Sequence, residues 1–285
     1  MIQAIIYLGV ALGVIMVLTI VAVSVADRRF DHRVKGEVLD LLADQGRKER
    51  SEVNEADLQG KPAIIRTWLV RAGISGKQHT HWVRLEHAGA MRTEPGKAWM
   101  PFTANYYYTV DKPGFIWKAR VQAAPLIHLS GRDMLYRGHG NMQIKLLSIV
   151  SVADARGKEI DQGSLLRYLA EIVWFPTAAL SDYISWEEID GNQARATIVT
   201  GDTSVSGIYT FGQDGMPIRF EALRYMSKGG GYSLEKWVAE MQEYQEFNGI
   251  LVPSRVRVIW DLPAGGYEWF RASVNSIEYD SGDQN

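Results

Sequence analysis

FTANYYYTVDKPGFIWKARV, residues 102–121, decides the fold. Side chains alternate between the two faces of an extended chain. Phe102, Ala104, Tyr106, Tyr108 and Val110 therefore share one face, and Thr103, Asn105, Tyr107 and Thr109 the other. Asp111-Lys112-Pro113-Gly114 has the residues of a turn. Beyond it Phe115, Trp117, Ala119 and Val121 alternate against Ile116, Lys118 and Arg120. Two alternating runs joined by so short a connection pair antiparallel, with one face apolar and aromatic.

The same period of two begins near residue 79 and returns along the chain, near 126–136, 140–149, 183–189, 194–200, 203–212, 217–226, 235–247, 251–261 and 266–279. Asp190-Gly191, Asp214-Gly215, Asn248-Gly249 and Gly265-Gly266 mark tight turns between them. The reading gives about ten or eleven strands, each paired with its neighbour in sequence. Aromatic residues make up 11% of the chain, with nine Trp and thirteen Tyr, which suits broad sheets.

One helix interrupts the strands. Asp161 is placed to cap it, and Leu165, Leu166, Leu169, Ile172 and Val173 form its apolar stripe. Trp174, Phe175 and Pro176 mark its end, and the apolar surface after Tyr168 implies burial on more than one side. A sheet of so many strands must curl or split. The expected fold is mainly β (α+β): a large curled antiparallel sheet, an open barrel, wrapped on a central helix.

Ahead of it lies IQAIIYLGVALGVIMVLTIVAVSVA, residues 2–26, without a charge and long enough for a transmembrane helix. A secretory signal would want a basic leader, a shorter apolar core and a small-residue cleavage site. Only Gln3 precedes the core, and Val23-Ser24-Val25-Ala26 is a poor cleavage context, so an uncleaved anchor is expected. Arg28, Arg29, Arg33 and Lys35 follow the span at once and favour a cytoplasmic domain. In residues 28–45, Phe30, Val34, Val38, Leu41 and Leu42 recur at helical spacing. That segment reads as a helix on the headgroups or, preferably, one packed on the domain. The run 46–60 is polar and aperiodic, a linker. Pro62 suits the first turn of a short helix with Ile64, Ile65, Trp68 and Leu69 as its stripe and Gly73 at its end. The plan is an anchor (1–27), a juxtamembrane helix and linker (28–60), and a single β-rich domain (61–285).

Composition excludes more than it assigns. A net charge of −2 without a basic stripe argues against nucleic acid. Zero Cys excludes disulfides, thiol catalysis and thiolate metal sites. His79 and His81 share a face and His87 follows six residues on, but no carboxylate completes a metal site, and all three read as surface histidines. Gly229-Gly230-Gly231 lacks the Gly-Lys-Ser/Thr ending of a phosphate loop and reads as a hairpin tip. No G-x-S-x-G elbow or glycosidase-like carboxylate pair occurs. No catalytic residue, metal or cofactor is therefore assigned. Arg167 and Glu171, at i and i+4 on the central helix, form a site if they face the barrel and an ordinary pair if they face water. Tyr106, Tyr108, Trp117, Trp174 and Phe175 line an apolar pocket or simply fill the core.

RYLAEIVWFPTAALSDYISWEEID (167–190), MPFTANYYYTVDKPGFIWKARV (100–121), GRDMLYRGHGNMQIKLL (131–147) and GILVPSRVRVIWDLPAGGYEWFRASVNSIEY (249–279) together resemble DUF6544, an uncharacterised bacterial family of single-span proteins. The resemblance covers roughly 62–280 and implies no activity. At the level of architecture, a curled sheet with a helical plug resembles the lipoprotein-carrier folds of the periplasm, whose cavity receives acyl chains. That likeness implies an extracytoplasmic domain, against the flanking charges. The expectation is a membrane-tethered, non-catalytic module for an acyl chain or other apolar ligand. The alternatives are a protein-binding envelope scaffold, or an enzyme using Arg167, Glu171, Arg132 and Asp133. No protein partner is identified.

Overall fold

In the computed structural model of the chain, residues 2–45, 51–263 and 265–280 are described. Part of the expected linker, 46–50, lies outside them. The helices are α1 (Ile2–Ala43), α2 (Glu55–Leu58), α3 (Ala63–Arg71) and α4 (Lys158–Glu171). The strands are β1 (Trp82–Met91), β2 (Met100–Thr109), β3 (Gly114–Ala124), β4 (Ile127–Tyr136), β5 (His139–Leu146), β6 (Val150–Ala155), β7 (Ile184–Asp190), β8 (Gln193–Thr200), β9 (Thr203–Phe211), β10 (Pro217–Lys228), β11 (Gly231–Phe247), β12 (Ile250–Asp261) and β13 (Tyr267–Tyr279).

All thirteen strands form one sheet in the order β6-β5-β4-β3-β2-β1-β13-β12-β11-β10-β9-β8-β7. Every neighbouring pair is antiparallel, and the first and last strands are not joined, so the sheet is an open half-barrel. Thirteen strands exceed the expected ten or eleven. One of them, β6, escaped the pattern reading, and another, β1, was marked only by the change of period near residue 79. β6 is largely exposed on both faces and shows no alternation to find. β1 ends in Ala88-Gly89-Ala90, too small to mark an apolar face, because Gly89 lies against the backbone of Arg271 and Ala272.

The chain passes from edge strand β6 to edge strand β7 through α4 and two 3-10 turns, Ile172–Trp174 and Pro176–Leu180. α4 thus crosses the concave side and fills it. Leu165, Leu166, Tyr168, Leu169, Ile172 and Val173 are all buried in the main core, as the stripe required. The helix starts three residues before the expected Asp161 cap, after Gly157, which carries no side chain to cap it. Asp161 instead accepts a hydrogen bond from the Gly140 backbone N–H at 2.7 Å, tying the helix to β5. Gly140 has to be small, since a Cβ there would sit 2.6 Å from the Ile160 carbonyl oxygen and the Ser164 hydroxyl.

On the convex side α1 runs without a break from the apolar segment onto the sheet. Phe30, Val34, Val38 and Leu41 are buried against Ile116, Tyr107, Met134 and Tyr136. Each fully buried apolar side chain of this size contributes about 1.5–3 kcal/mol. Ion pairs flank the stripe: Asp31 to Lys118 (2.6 Å), Glu37 to Arg132 (3.1 Å) and Asp44 to Arg137 (2.8 Å). The polar-looking face of β3 is therefore the seat of the helix rather than open to water. α3 follows Pro62, buries Ile65, Trp68 and Leu69, and stops at Gly73, whose φ of +77° suits glycine.

Candidate functional site

The half-barrel interior is aromatic at one end of α4, with a compact charged centre. On β2, Tyr106 and Tyr108 point inward and stack with ring centroids 4.1 Å apart, both fully buried. Both hydroxyls donate to Glu171 Oε2, Tyr108 at 3.2 Å and Tyr106 through a shorter contact. Glu171 Oε1 accepts from Arg167 Nε at 2.9 Å, one helical turn away. Arg167 Nη1 donates in turn to Asp133 Oδ2 on β4 at 2.6 Å. The Arg167 guanidinium lies 5.0 Å over the Tyr106 ring and 5.3 Å over Phe115 and Trp117. Its side chain and that of Glu171 are each 14% exposed, so they do face the barrel.

Burial pushes the Glu171 carboxyl above the usual carboxylate range, against the pull of Arg167 and the two tyrosines. Burial also raises both tyrosine hydroxyls well above their ordinary value. Arg167 stays charged: although burial opposes it, Glu171, Tyr106 and Asp133 hold its proton more firmly than usual. A second cation, Arg224 on β10, donates to the Gly163 carbonyl (3.3 Å) and stacks 5.2 Å over Trp237. Burial, then the neighbouring Arg167 charge, lowers it to about 10.

His87 corrects its reading as a surface histidine. It lies on the inner face of β1 with Val83 and Leu85 and is 2% exposed. Phe102, Tyr106, Trp117, Trp174 and Phe270 surround it. Its Nε2 accepts from Trp117 Nε1 at 2.8 Å, while Nδ1 has no hydrogen-bond partner among the described residues. Burial and the Arg167 charge lower it to about 3. His79 and His81 are not brought to it: His79 faces Asp57 at 3.6 Å and His81 faces Asp111 at 2.7 Å. Among the described residues no group of three metal-ligating side chains exists.

All seven predicted site residues therefore meet in one cluster. Phe175 packs 4.6 Å from Tyr108, and Trp174 lies 6.4 Å from it while donating to the Pro253 carbonyl at 3.0 Å. Arg132 and Asp133 part company, because neighbours on a strand face opposite ways. Asp133 joins the interior, and Arg132 turns outward to Glu37 of α1. Pattern reading missed Arg224 and the burial of His87. The inward parity of Val83, Leu85 and His87 was the available signal for the histidine.

Fold and site define an open antiparallel half-barrel filled by one helix, behind an N-terminal helix long and apolar enough to cross a membrane. The chain belongs to DUF6544, a family of unknown function whose model matches residues 51–272. Among solved structures it is similar to a LolA-superfamily protein from Nitrosomonas europaea, at 12% identity and a TM-score of 0.42, over 77% of this chain and 94% of that one. It is also similar to a domain described as an outer membrane lipoprotein-sorting protein from Vibrio parahaemolyticus, at 7% identity and a TM-score of 0.39, over 78% of this chain and 93% of that one. No protein of curated function matches.

Proposed function

We propose that the protein is a membrane-anchored, non-catalytic binding module whose half-barrel admits an apolar chain when α4 moves off the concave face. One observation carries the reading: α4 covers that face and is also the chain link between the two unpaired edge strands, β6 and β7. A cover joined covalently only at the free edges can shift without unpairing the sheet, once its hydrogen bonds to Gly140, Arg224 and the inner tyrosines are released. An entering apolar chain would replace Leu166 and Leu169 against the inner aromatics, among them Tyr106, Tyr108, Trp117, Trp174 and Phe175. Arg167 and Glu171 act as the latch. A buried ion pair regains hydration when it opens, so it resists opening less than the same area of apolar packing.

α1 supports retention of the anchor. The helix runs through Val23–Ala26 unbroken, and Asp27 just beyond is held by Ser148, His128 and Arg120. By the flanking-charge rule the domain faces the cytoplasm.

The full chain in detergent, titrated with a brominated fatty acid, should show saturable quenching of tryptophan fluorescence that the unbrominated acid reverses. Quenching that never saturates refutes the binding role. A C-terminal reporter active only in the cytoplasm should be active, and activity of an export-dependent reporter instead overturns the assigned side.

A further inference from the structure

The register of α1 on the sheet fixes which residues lie beside its apolar segment. Along β4 and into the turn after it, His128 meets Asp27, Arg132 meets Glu37 and Arg137 meets Asp44. Strand and helix therefore run the same way. Residues before His128 lie beside the apolar part of α1, which places the β3–β4 hairpin tip there. The β5–β6 turn reaches the same level: Ser148 donates to Asp27 at 2.6 Å, and Ile149 lines a groove of about 590 Å³ with Ala22 and Val25.

Both tips carry apolar side chains turned to the outside. Leu126 is 95% exposed, and Ile149 and Val150 are about half exposed. Leu126 also has φ +64°, a left-handed conformation that costs a side chain of this kind and that glycine would adopt freely. An exposed leucine held in an unfavourable backbone at a hairpin tip does nothing for the fold in water.

The groove wall is cationic. Arg29, Arg33 and Lys145 line it beside the apolar residues. The nearby acids are engaged elsewhere, Asp27 with Arg120 and His128, Asp31 with Lys118 and Glu37 with Arg132. Among the described residues Arg29 and Lys145 have no ion-pair partner, and Arg33 donates to the neutral Gln143 amide at 2.6 Å. Positive charge above apolar tips, next to a spanning helix, matches an anionic phospholipid, with phosphate at the cations and acyl chains below.

We propose that the β3–β4 and β5–β6 tips insert beside α1 into the bilayer interface, and that Arg29, Arg33 and Lys145 hold the headgroup of an anionic phospholipid in the groove between them. The domain is then seated on the membrane at two further points and cannot swing freely about its anchor.

The absence of Cys makes the test clean. Leu126→Cys and Asp202→Cys each receive an environment-sensitive fluorophore in the full chain, in nanodiscs of phosphatidylcholine with roughly one-third phosphatidylglycerol. Position 202 lies in the β8–β9 turn, whose Gly201 shares a groove with Asp44 and Lys112 at the far end of α1. Lipid-borne nitroxides near the headgroup should quench the probe at 126 strongly and that at 202 weakly. Equal quenching overturns insertion. Native mass spectrometry then counts phosphatidylglycerol retained by the parent and by the triple variant Arg29→Gln, Arg33→Gln, Lys145→Gln. At roughly fivefold per basic residue near a lipid surface, retention should fall about a hundredfold. Unchanged retention overturns the headgroup seat.

Discussion

His87 offers a quantitative test of how the interior is built. A neutral imidazole is enforced there by five aromatic rings with centroids 5.4–6.4 Å away and by the Arg167 charge. The ordinary value of 6.5 falls to about 3 in the folded chain. In the unfolded chain the ring takes up a proton below 6.5, whereas the folded chain refuses it until about pH 3. The unfolded state binds more protons across that window, so stability is lost as pH falls from 6.5 toward 3. Between pH 7 and pH 5 the unfolded imidazole goes from about a quarter to nearly fully protonated, which costs the fold about 2 kcal/mol at 1.36 kcal/mol per pH unit. For a domain of this size that is a Tm difference of about 4–8 °C. His87→Gln keeps an acceptor for the Trp117 indole and removes the titration. Melts of the full chain in detergent, followed by tryptophan fluorescence, should show the parent losing that much more than the variant between the two pH values. Other groups titrate equally in both chains and cancel. Parallel pH curves for parent and variant would refute the neutral, enclosed imidazole.

Arg167→Met strands Asp133 and Glu171 in the interior and should cost about 3–5 kcal/mol. Adding Asp133→Asn and Glu171→Gln should restore most of it, and a single variant that melts like the parent shows the three are not one network. Leu169→Asp places a carboxylate at a position with no exposure and should abolish the cooperative melt. A parent-like melt would show α4 is not the filling of the barrel. Gly207→Ala drives a methyl to within 2.1 Å of the buried Phe220 ring and should cost about 1–3 kcal/mol by denaturant melt.

Much of the cluster was legible because two local rules apply to it. The inward parity of Tyr106, Tyr108 and Trp117 is fixed by strand alternation, and the shared face of Arg167 and Glu171 by helical spacing. What those rules cannot supply is distance between elements. Asp133 and Arg167 are 34 residues apart in sequence yet 2.6 Å apart in space, and only the crossing of α4 over the open sheet brings them together. His87 looked like its neighbours His79 and His81 because a polar residue type says little about which face of a strand will be covered. The face of β3 bearing Ile116, Lys118 and Arg120 carries no local sign of what covers it; α1 does, supplying Asp31 and Asp27 as partners for its two cations.

The sequence by itself determined the local periods: an uncharged run able to cross a bilayer, strands of period two with their turns, and one helix too apolar to face water. These depend only on side chains a few residues apart, where backbone geometry dictates the neighbour. The tertiary structure alone decided that β1 closes against β13, that α1 seats on the β3–β4 part of the convex face, and that the β5–β6 turn comes beside the apolar part of α1. Those outcomes depend on register and on contacts between distant segments, for which no local spacing carries a record.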